Sequence, residues 1–292
     1  MRFGYLETMT DPAYLQPLAM AAEAAGYDAF AVPDSIGYPE HSDTEYPYSP
    51  DGTRDFLEDK PFIETFALVP YLAATTERIR FTTDVVKLPL RHPVLVAKQV
   101  SSIAVISDDR LTLGVGLSPW PEDYAAVGVP WARRGKRLDE MIDVIRGLCA
   151  GGYFAYTGEI FEIPSMKICP VPDRPVPILI GGHSEPALRR AARIGDGWIH
   201  AGGDAEELAG MIERLRTLRR EYGREHEPFE IHVISLDAYT PDGVRRLEDL
   251  GVTDVIVGFN RKAYSTEPDT ETLEQKLASL RRYAEHVIEQ SG

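Results

Sequence analysis

The sequence predicts a barrel of eight parallel strands, each followed by a helix. Two observations carry this. Short apolar runs recur eight times, and each is followed by a longer stretch with apolar residues at helical spacing. The whole alternation fits into 292 residues, near the ~250 typical of a (β/α)8 TIM barrel. An open doubly wound sheet is the alternative. It would carry a glycine fingerprint after its first strand, where this chain reads LETMTDP.

Residues 2–7 read as the first strand. Residues 12–25 then show helical spacing and stop at Gly26, which suits the left-handed position after a helix. Further strands are expected at 28–32, 79–86, 111–116, 176–180, 198–200, 229–236 and 254–259. Helices are expected at 62–75, 94–106, 133–149, 185–194, 204–222, 241–250 and 270–289, with Pro93 and Pro186 in first turns where no N–H is needed. Two connections exceed the usual length. Residues 34–61, after strand two, are rich in Tyr, Pro and Asp and suit a lid or binding wall, with Tyr38, Tyr46, Tyr48 and Phe56 as aromatic candidates. Residues 151–175, between helix four and strand five, read as a hairpin and a proline-rich approach. The chain reads as one domain over residues 1–292.

Composition narrows the partners. The 46 acidic against 31 basic residues give a net charge of −15, which disfavours nucleic acid or an anionic membrane. Cys149 and Cys169 are the only cysteines, a count that fits a reducing compartment. The start MRFGYLE shows no targeting pattern, and no apolar run approaches the ~20 residues of a membrane span, so a cytoplasmic protein is expected. The seven histidines lack metal-binding spacing, and no catalytic metal is expected.

In such a barrel the chemistry sits where strands run into helices. Gly195-Asp196-Gly197-Trp198 joins a helix to a strand and therefore lies on the opposite face. There Gly195 suits a left-handed turn, Gly197 a tight turn and Trp198 a plug for the barrel floor. Gly181-Gly182-His183-Ser184 follows strand five on the active face. Glycines let backbone N–H groups approach an anion, and the helix start adds a partial positive charge, so this stretch suits a phosphate. An ordinary turn with a serine cap is the alternative. Gly202-Gly203 could wall the same pocket, with Asp204 capping its helix. Gly114 and Gly116 could clear space for a flat ring, or serve close packing. Asp34 and Asp84, near strand ends, read as site residues. The run Arg133–Arg137 reads as a salt-bridged helix start, and Arg189, Arg190 and Arg193 as a solvated helix face.

The blocks FTTDVVKLPLRHPVLVAKQVSSI, DDRLTLGVGL, EDYAAVGVPWARRGKRLDEMIDVIRGL and ILIGGHSEPALRRAARIGDGWIH, in this order, resemble the bacterial-luciferase-like flavin or deazaflavin oxidoreductases. The resemblance runs from Met1 to about residue 260. It implies a (β/α)8 barrel, commonly a homodimer, with coenzyme F420 or FMN at the C-terminal mouth. The cofactor phosphate would sit at Gly181, Gly182, His183 and Ser184. The ring would lie against strand three, where deazaflavin-using members carry a non-proline cis peptide; the matching bond is Asp84–Val85. Many relatives follow the acidic residue of strand two with histidine, whereas here Asp34 precedes Ser35. Asp34, His41 and Glu7 are thus the candidate catalytic groups. Glu122 and Tyr124 are within reach of the cofactor, and Lys87, Arg91 and Arg54 could meet its anionic tail. The resemblance favours F420 and hydride transfer to or from a small organic substrate. An FMN-dependent monooxygenase and a non-catalytic cofactor-binding barrel are the alternatives.

Overall fold

The computed structural model describes residues 1–42, 44–46, 49, 52–260, 262 and 264–291; Tyr48 lies outside them. Its strands are β1 (Arg2–Leu6), β2 (Ala29–Val32), β3 (Arg80–Thr83), β4 (Val86–Lys87), β5 (Leu111–Gly116), β6 (Phe154–Thr157), β7 (Glu162–Met166), β8 (Ile178–Gly181), β9 (Gly197–His200), β10 (Glu230–Val233) and β11 (Asp254–Val257). Strands β1, β2, β3, β5, β8, β9, β10 and β11 pair in parallel in that order, and β11 pairs back with β1 to close the barrel. The hairpin expected within 151–175 is the antiparallel pair β6–β7.

Helices α1 (Pro12–Ala24), α2 (Thr65–Ala73), α3 (Pro93–Ile106), α4 (Pro121–Ala126), α5 (Arg134–Cys149), α6 (Glu185–Ile194), α7 (Ala205–Glu221), α8 (Pro241–Asp249) and α9 (Leu273–Tyr283) surround it. Gly26 is left-handed at φ +89°, as its place after α1 requires. Three elements differ from expectation. The third strand divides at Asp84–Val85, whose peptide is cis, and resumes as β4. The short α4 follows Trp120 within what reads as loop. The last helix starts later, where Thr272 and Gln275 form a reciprocal capping box, and it ends in a π turn at Ala284–Ile288.

Side chains alternate along each strand, so every second residue enters the barrel. The lowest inward layer is charged. Arg2 grips Asp254 at 2.6 and 2.8 Å and Glu230 at 3.0 Å, and His232 lies 2.8 Å from Glu230. Above it the barrel is narrow. A Cβ on Gly114 would lie 2.0 Å from the Thr83 carbonyl and 2.5 Å from Ile199 Cδ1. The bare position therefore serves close packing across the barrel and clears no space for a ring.

The GDGW turn joins α6 to β9 on the lower face, but its parts act differently from expectation. Gly195 is not left-handed (φ −77°); a Cβ there would press within 2.8 Å of the Ala191 carbonyl. Gly197 is a strand residue, bare because a Cβ would meet the Glu230 carbonyl at 2.5 Å. Trp198 does not plug the floor. Its neighbour Ile199 faces the barrel interior, so the indole points outward, and its Nε1 donates to the Gly182 carbonyl at 2.9 Å. Asp196 accepts from the Ile178 amide at 2.8 Å and from Arg146 at 2.7 Å, tying α5 to the start of β8.

Candidate active site

The topmost inward layer opens into a cavity of about 450 Å³ at the C-terminal mouth. Its floor is Leu6, Asp84, Gly116, Gly181, Ile199 and Ile234. Val85, just past the cis bond, also lines it, and its side chain fills the space left by Gly116 and Gly181. A Cβ on either glycine would approach the Val85 methyls to 2.8 and 3.0 Å.

Described residues of the segment 34–61 and of its neighbours form the wall. Tyr46, Phe56, Trp120 and Tyr264 face the cavity, with Tyr46 5.3 Å from Trp120 and Phe56 5.1 Å from Tyr264 between ring centres. Tyr38 lies outside this lining and instead bonds Asp55 at 3.4 Å. Lys87 and Arg54 both lie over the Trp120 ring, 4.3 and 4.7 Å from its centre, which fixes the indole through cation–π attraction. Glu122 does not line the cavity. It accepts from Ser42 at 2.5 Å and Thr44 at 3.2 Å, so it latches the segment down.

A second lobe of about 890 Å³ adjoins the first, and Gly181, Gly182, Leu117, Ala201, Ile234 and Tyr264 border both. His183, Ser184, Gly202, Gly203, Arg133, Arg134 and Arg190 also line it. Gly182 takes φ +117°, and its carbonyl is turned to Trp198. In a planar trans peptide the next N–H points the opposite way, so the His183 amide is directed away from Trp198. Ser184 is the N-cap of α6, yet its hydroxyl makes no capping bond. Asp204, by contrast, caps α7 through the Glu207 amide at 2.8 Å, as expected. The arginines differ from their sequence reading. Arg133 pairs with Glu159 as a helix-start residue does, and Arg190 with Asp139, but both still border the lobe. Arg134 lies over Trp131, with its Nε buried and unpaired among the described residues.

His183 stacks on His200 with ring centres 4.5 Å apart, and its Nε2 accepts from the Ala201 amide at 3.0 Å. Burial, and then the neighbouring His183, push the His200 pKa down to about 4; burial also lowers that of His183. Both rings are therefore neutral near pH 7. Since the unfolded imidazole takes its proton near pH 6.5 and folded His200 only near 4, stability is full above 6.5 and declines as pH falls towards 4. Urea titrations at pH 7 and 4.5 should show a loss of about 2 kcal/mol that His200→Gln removes.

The candidate catalytic groups separate in space. The Asp34 carboxylate borders the mouth but is already engaged. Arg91 donates to both its oxygens at 2.7 and 2.8 Å, the Lys87 amide at 2.9 Å and Thr65 at 3.3 Å. It ties the end of β2 to the chain after β3. Glu7 turns away from the mouth cavity into a buried cluster, bonded to Tyr5 at 2.5 Å and Lys276 at 2.9 Å. His41 is exposed and lines neither lobe. Arg91 and Lys87 are likewise committed, to Asp34 and Asp123, whereas Arg54 approaches Glu122 only to 3.5 Å and its two terminal nitrogens are buried without a hydrogen-bond partner among the described residues; none of the three lines the second lobe. Tyr124 is buried against Trp131.

A sequence model of the luciferase-like monooxygenases matches residues 2–285. The chain belongs to this family. It is 58% identical over 288 residues to an uncharacterised protein of Mycobacterium tuberculosis, covering 99% of each chain. It is 29% identical over 259 residues to an F420-dependent glucose-6-phosphate dehydrogenase of Beutenbergia cavernae, covering 85% of this chain and 71% of that one. The fold is shared with a Streptomyces bottropensis monooxygenase (TM-score 0.76, 18% identity, 100% of both chains). It is shared equally with a coenzyme F420-dependent tetrahydromethanopterin reductase of Methanopyrus kandleri (TM-score 0.76, 14% identity, 100% of this chain and 99% of that one).

Proposed function

We propose that this luciferase-like protein is an F420-dependent oxidoreductase acting on a small organic molecule. The observation that carries the reading is the two-lobed cleft. The mouth cavity, floored by glycines and Val85 and walled by aromatics, suits a flat ring. Gly181 and Gly182 lead from it to a helix start with an uncommitted serine hydroxyl and three arginines beyond. FMN ends at its phosphate, whereas F420 continues past its phosphate into an anionic tail, which this basic lobe would accommodate. When bound, a deazaflavin supplies a hydride carrier that does not activate oxygen.

The protein's own part is positional. Gly181 and Gly182 admit the cofactor backbone closely, and the N-terminus of α6 with Ser184 holds its phosphate. Arg134 and Arg190 offset the charge beyond. Val85 and Gly116 support the ring, while Tyr46, Phe56 and Trp120 exclude water from its open side. The Asp34–Arg91 pair keeps the β2 and β3 ends in register beneath the lid. We read the chain as one cytoplasmic domain and, on the resemblance, as a homodimer.

An FMN-dependent monooxygenase is the second reading, favoured by the description of the matched family. The test is a titration of apoprotein with F420 and with its chromophore lacking phosphate and tail. F420 should bind at least about 100-fold tighter, the worth of two charge-assisted hydrogen bonds. Equal affinity would remove the phosphate and tail assignment.

A further inference from the structure

The mouth cavity has two sides, set by the order of strands around the barrel. Val85, Gly116 and Gly181, against which the ring is seated, stand at the ends of β3, β5 and β8. In the closed order β1, β2, β3, β5, β8, β9, β10, β11, the strands across the barrel from β5 and β8 are β11 and β1. The chain leaving those two strands therefore meets the open face of a ring seated opposite.

What this side presents is uncharged. Leu6, Thr8 and Met9 come from the end of β1, Asn260 from the chain after β11, and Leu57 and Phe62 from the segment above, all lining the cavity. Asn260 is itself committed: its amide donates to the Thr8 carbonyl at 3.2 Å, and its oxygen accepts from the Lys262 amide at 2.9 Å. The Thr8 and Ser35 hydroxyls have no hydrogen-bond partner among the described residues and remain for a ligand. The three charged residues of the cavity offer no counter-ion here. Asp34 is paired with Arg91 at 2.7 Å and Lys87 with Asp123 at 2.8 Å, while Asp84 lies in the floor that the ring covers. Met9 marks the same side independently. It holds φ +58°, a left-handed conformation that a long side chain rarely adopts and that persists where the surroundings enforce it.

We propose that the β1–β11 side of the mouth selects an uncharged, mainly apolar substrate, with Met9 setting the size it admits. The inference rests on the F420 reading above, which seats the ring on the opposite side. An ion placed there would lose its hydration against apolar walls with no counter-ion in exchange. A neutral carbonyl or hydroxyl loses far less, and the Thr8 and Ser35 hydroxyls can meet it. The unbranched thioether of methionine adapts to an apolar surface without fixing its shape.

Binding to the F420-loaded protein tests the proposal without requiring turnover. Two pairs of ketones match in shape and differ in charge. One sets para-isopropylacetophenone against para-acetylbenzoate, the other para-tert-butylacetophenone against para-acetylphenyltrimethylammonium. By titration calorimetry each neutral probe should bind at least about 30-fold tighter than its charged partner. Equal or tighter binding of either ion, or no saturable binding of the neutral probes up to their solubility limits, would overturn the proposal. Met9→Gly tests the location, since glycine takes this φ freely and the fold is kept. Its F420 affinity should stay within about threefold of the wild type, and its preference for the longer para-acetylbiphenyl over para-isopropylacetophenone should rise about tenfold. An unchanged preference would remove Met9 from the substrate wall. Failure of the wild type to bind F420 at all would instead overturn the cofactor reading on which the proposal rests.

Discussion

Replacing Lys276 with alanine is expected to lower the unfolding free energy by about 3–5 kcal/mol. Lys276 reaches from α9 to the end of β1 and is 2% exposed. Its ammonium bonds Glu7 at 2.9 Å and Asp269 at 2.8 Å, with Glu271 at 3.6 Å. Removing it leaves the buried Glu7 carboxylate and the largely buried Asp269 without their cation, and an uncompensated buried charge costs far more than the intact pair contributes. Burial already raises the Glu7 pKa, even with Tyr5 and Lys276 opposing. The deficit should therefore shrink in acid, where Glu7 protonates. Urea unfolding at pH 7 and pH 4 measures both. A loss below about 1 kcal/mol at pH 7 would show that the cluster is solvated after all. The lysine also anchors the chain after β11 that brings Asn260 and Tyr264 to the mouth, so its loss should loosen the cleft.

The largest expected effect on binding is at Gly182. With φ at +117°, a region that side chains rarely adopt, valine there would be strained by roughly 1–3 kcal/mol. Its Cβ would also come within 3.1 Å of the Ala187 Cβ, in the first turn of α6. Relief requires the Gly182–His183 peptide to rotate, which would redirect the N–H groups offered to the phosphate. Gly182→Val should therefore weaken F420 binding about 100-fold or more, while far-UV circular dichroism stays that of the wild type. Affinity within threefold of the wild type would show that the phosphate lies elsewhere.

The barrel itself was legible in the sequence because strand and helix periodicities differ and alternate without interruption. The strand-to-helix turn at Gly181–Ser184 was legible for a related reason: a glycine pair after an apolar run and a serine before a helical period mark where one element stops and the next starts. Some features were not legible. The charged lowest layer of Arg2, Glu230, His232 and Asp254 comes from strands at opposite ends of the chain, and only barrel closure brings them together. Glycines posed a further ambiguity, since the same residue can provide left-handed backbone or missing volume. Gly182 combines a left-handed φ with little room, whereas Gly114, Gly195 and Gly197 are explained by missing volume alone. Acidic residues were the hardest to assign. Asp34, Glu7 and Asp84 all end strands, but their roles depend on whether Arg91, Lys276 or no side chain reaches them, and those partners lie 57 and 269 residues away for the first two. Arg190 looked like a solvated position because its helix face is basic, yet the barrel turns that face towards the second lobe.

The central claim is that the cleft is built for a deazaflavin with a phosphate and an anionic tail. Equilibrium titration of the purified apoprotein with F420 and with FMN, followed by cofactor fluorescence, tests it most directly. The account predicts saturable micromolar or tighter binding of F420, much weaker binding of FMN, and a selective loss of F420 affinity in an Arg134→Ala, Arg190→Ala double variant. Tight FMN binding with no measurable F420 binding would contradict it.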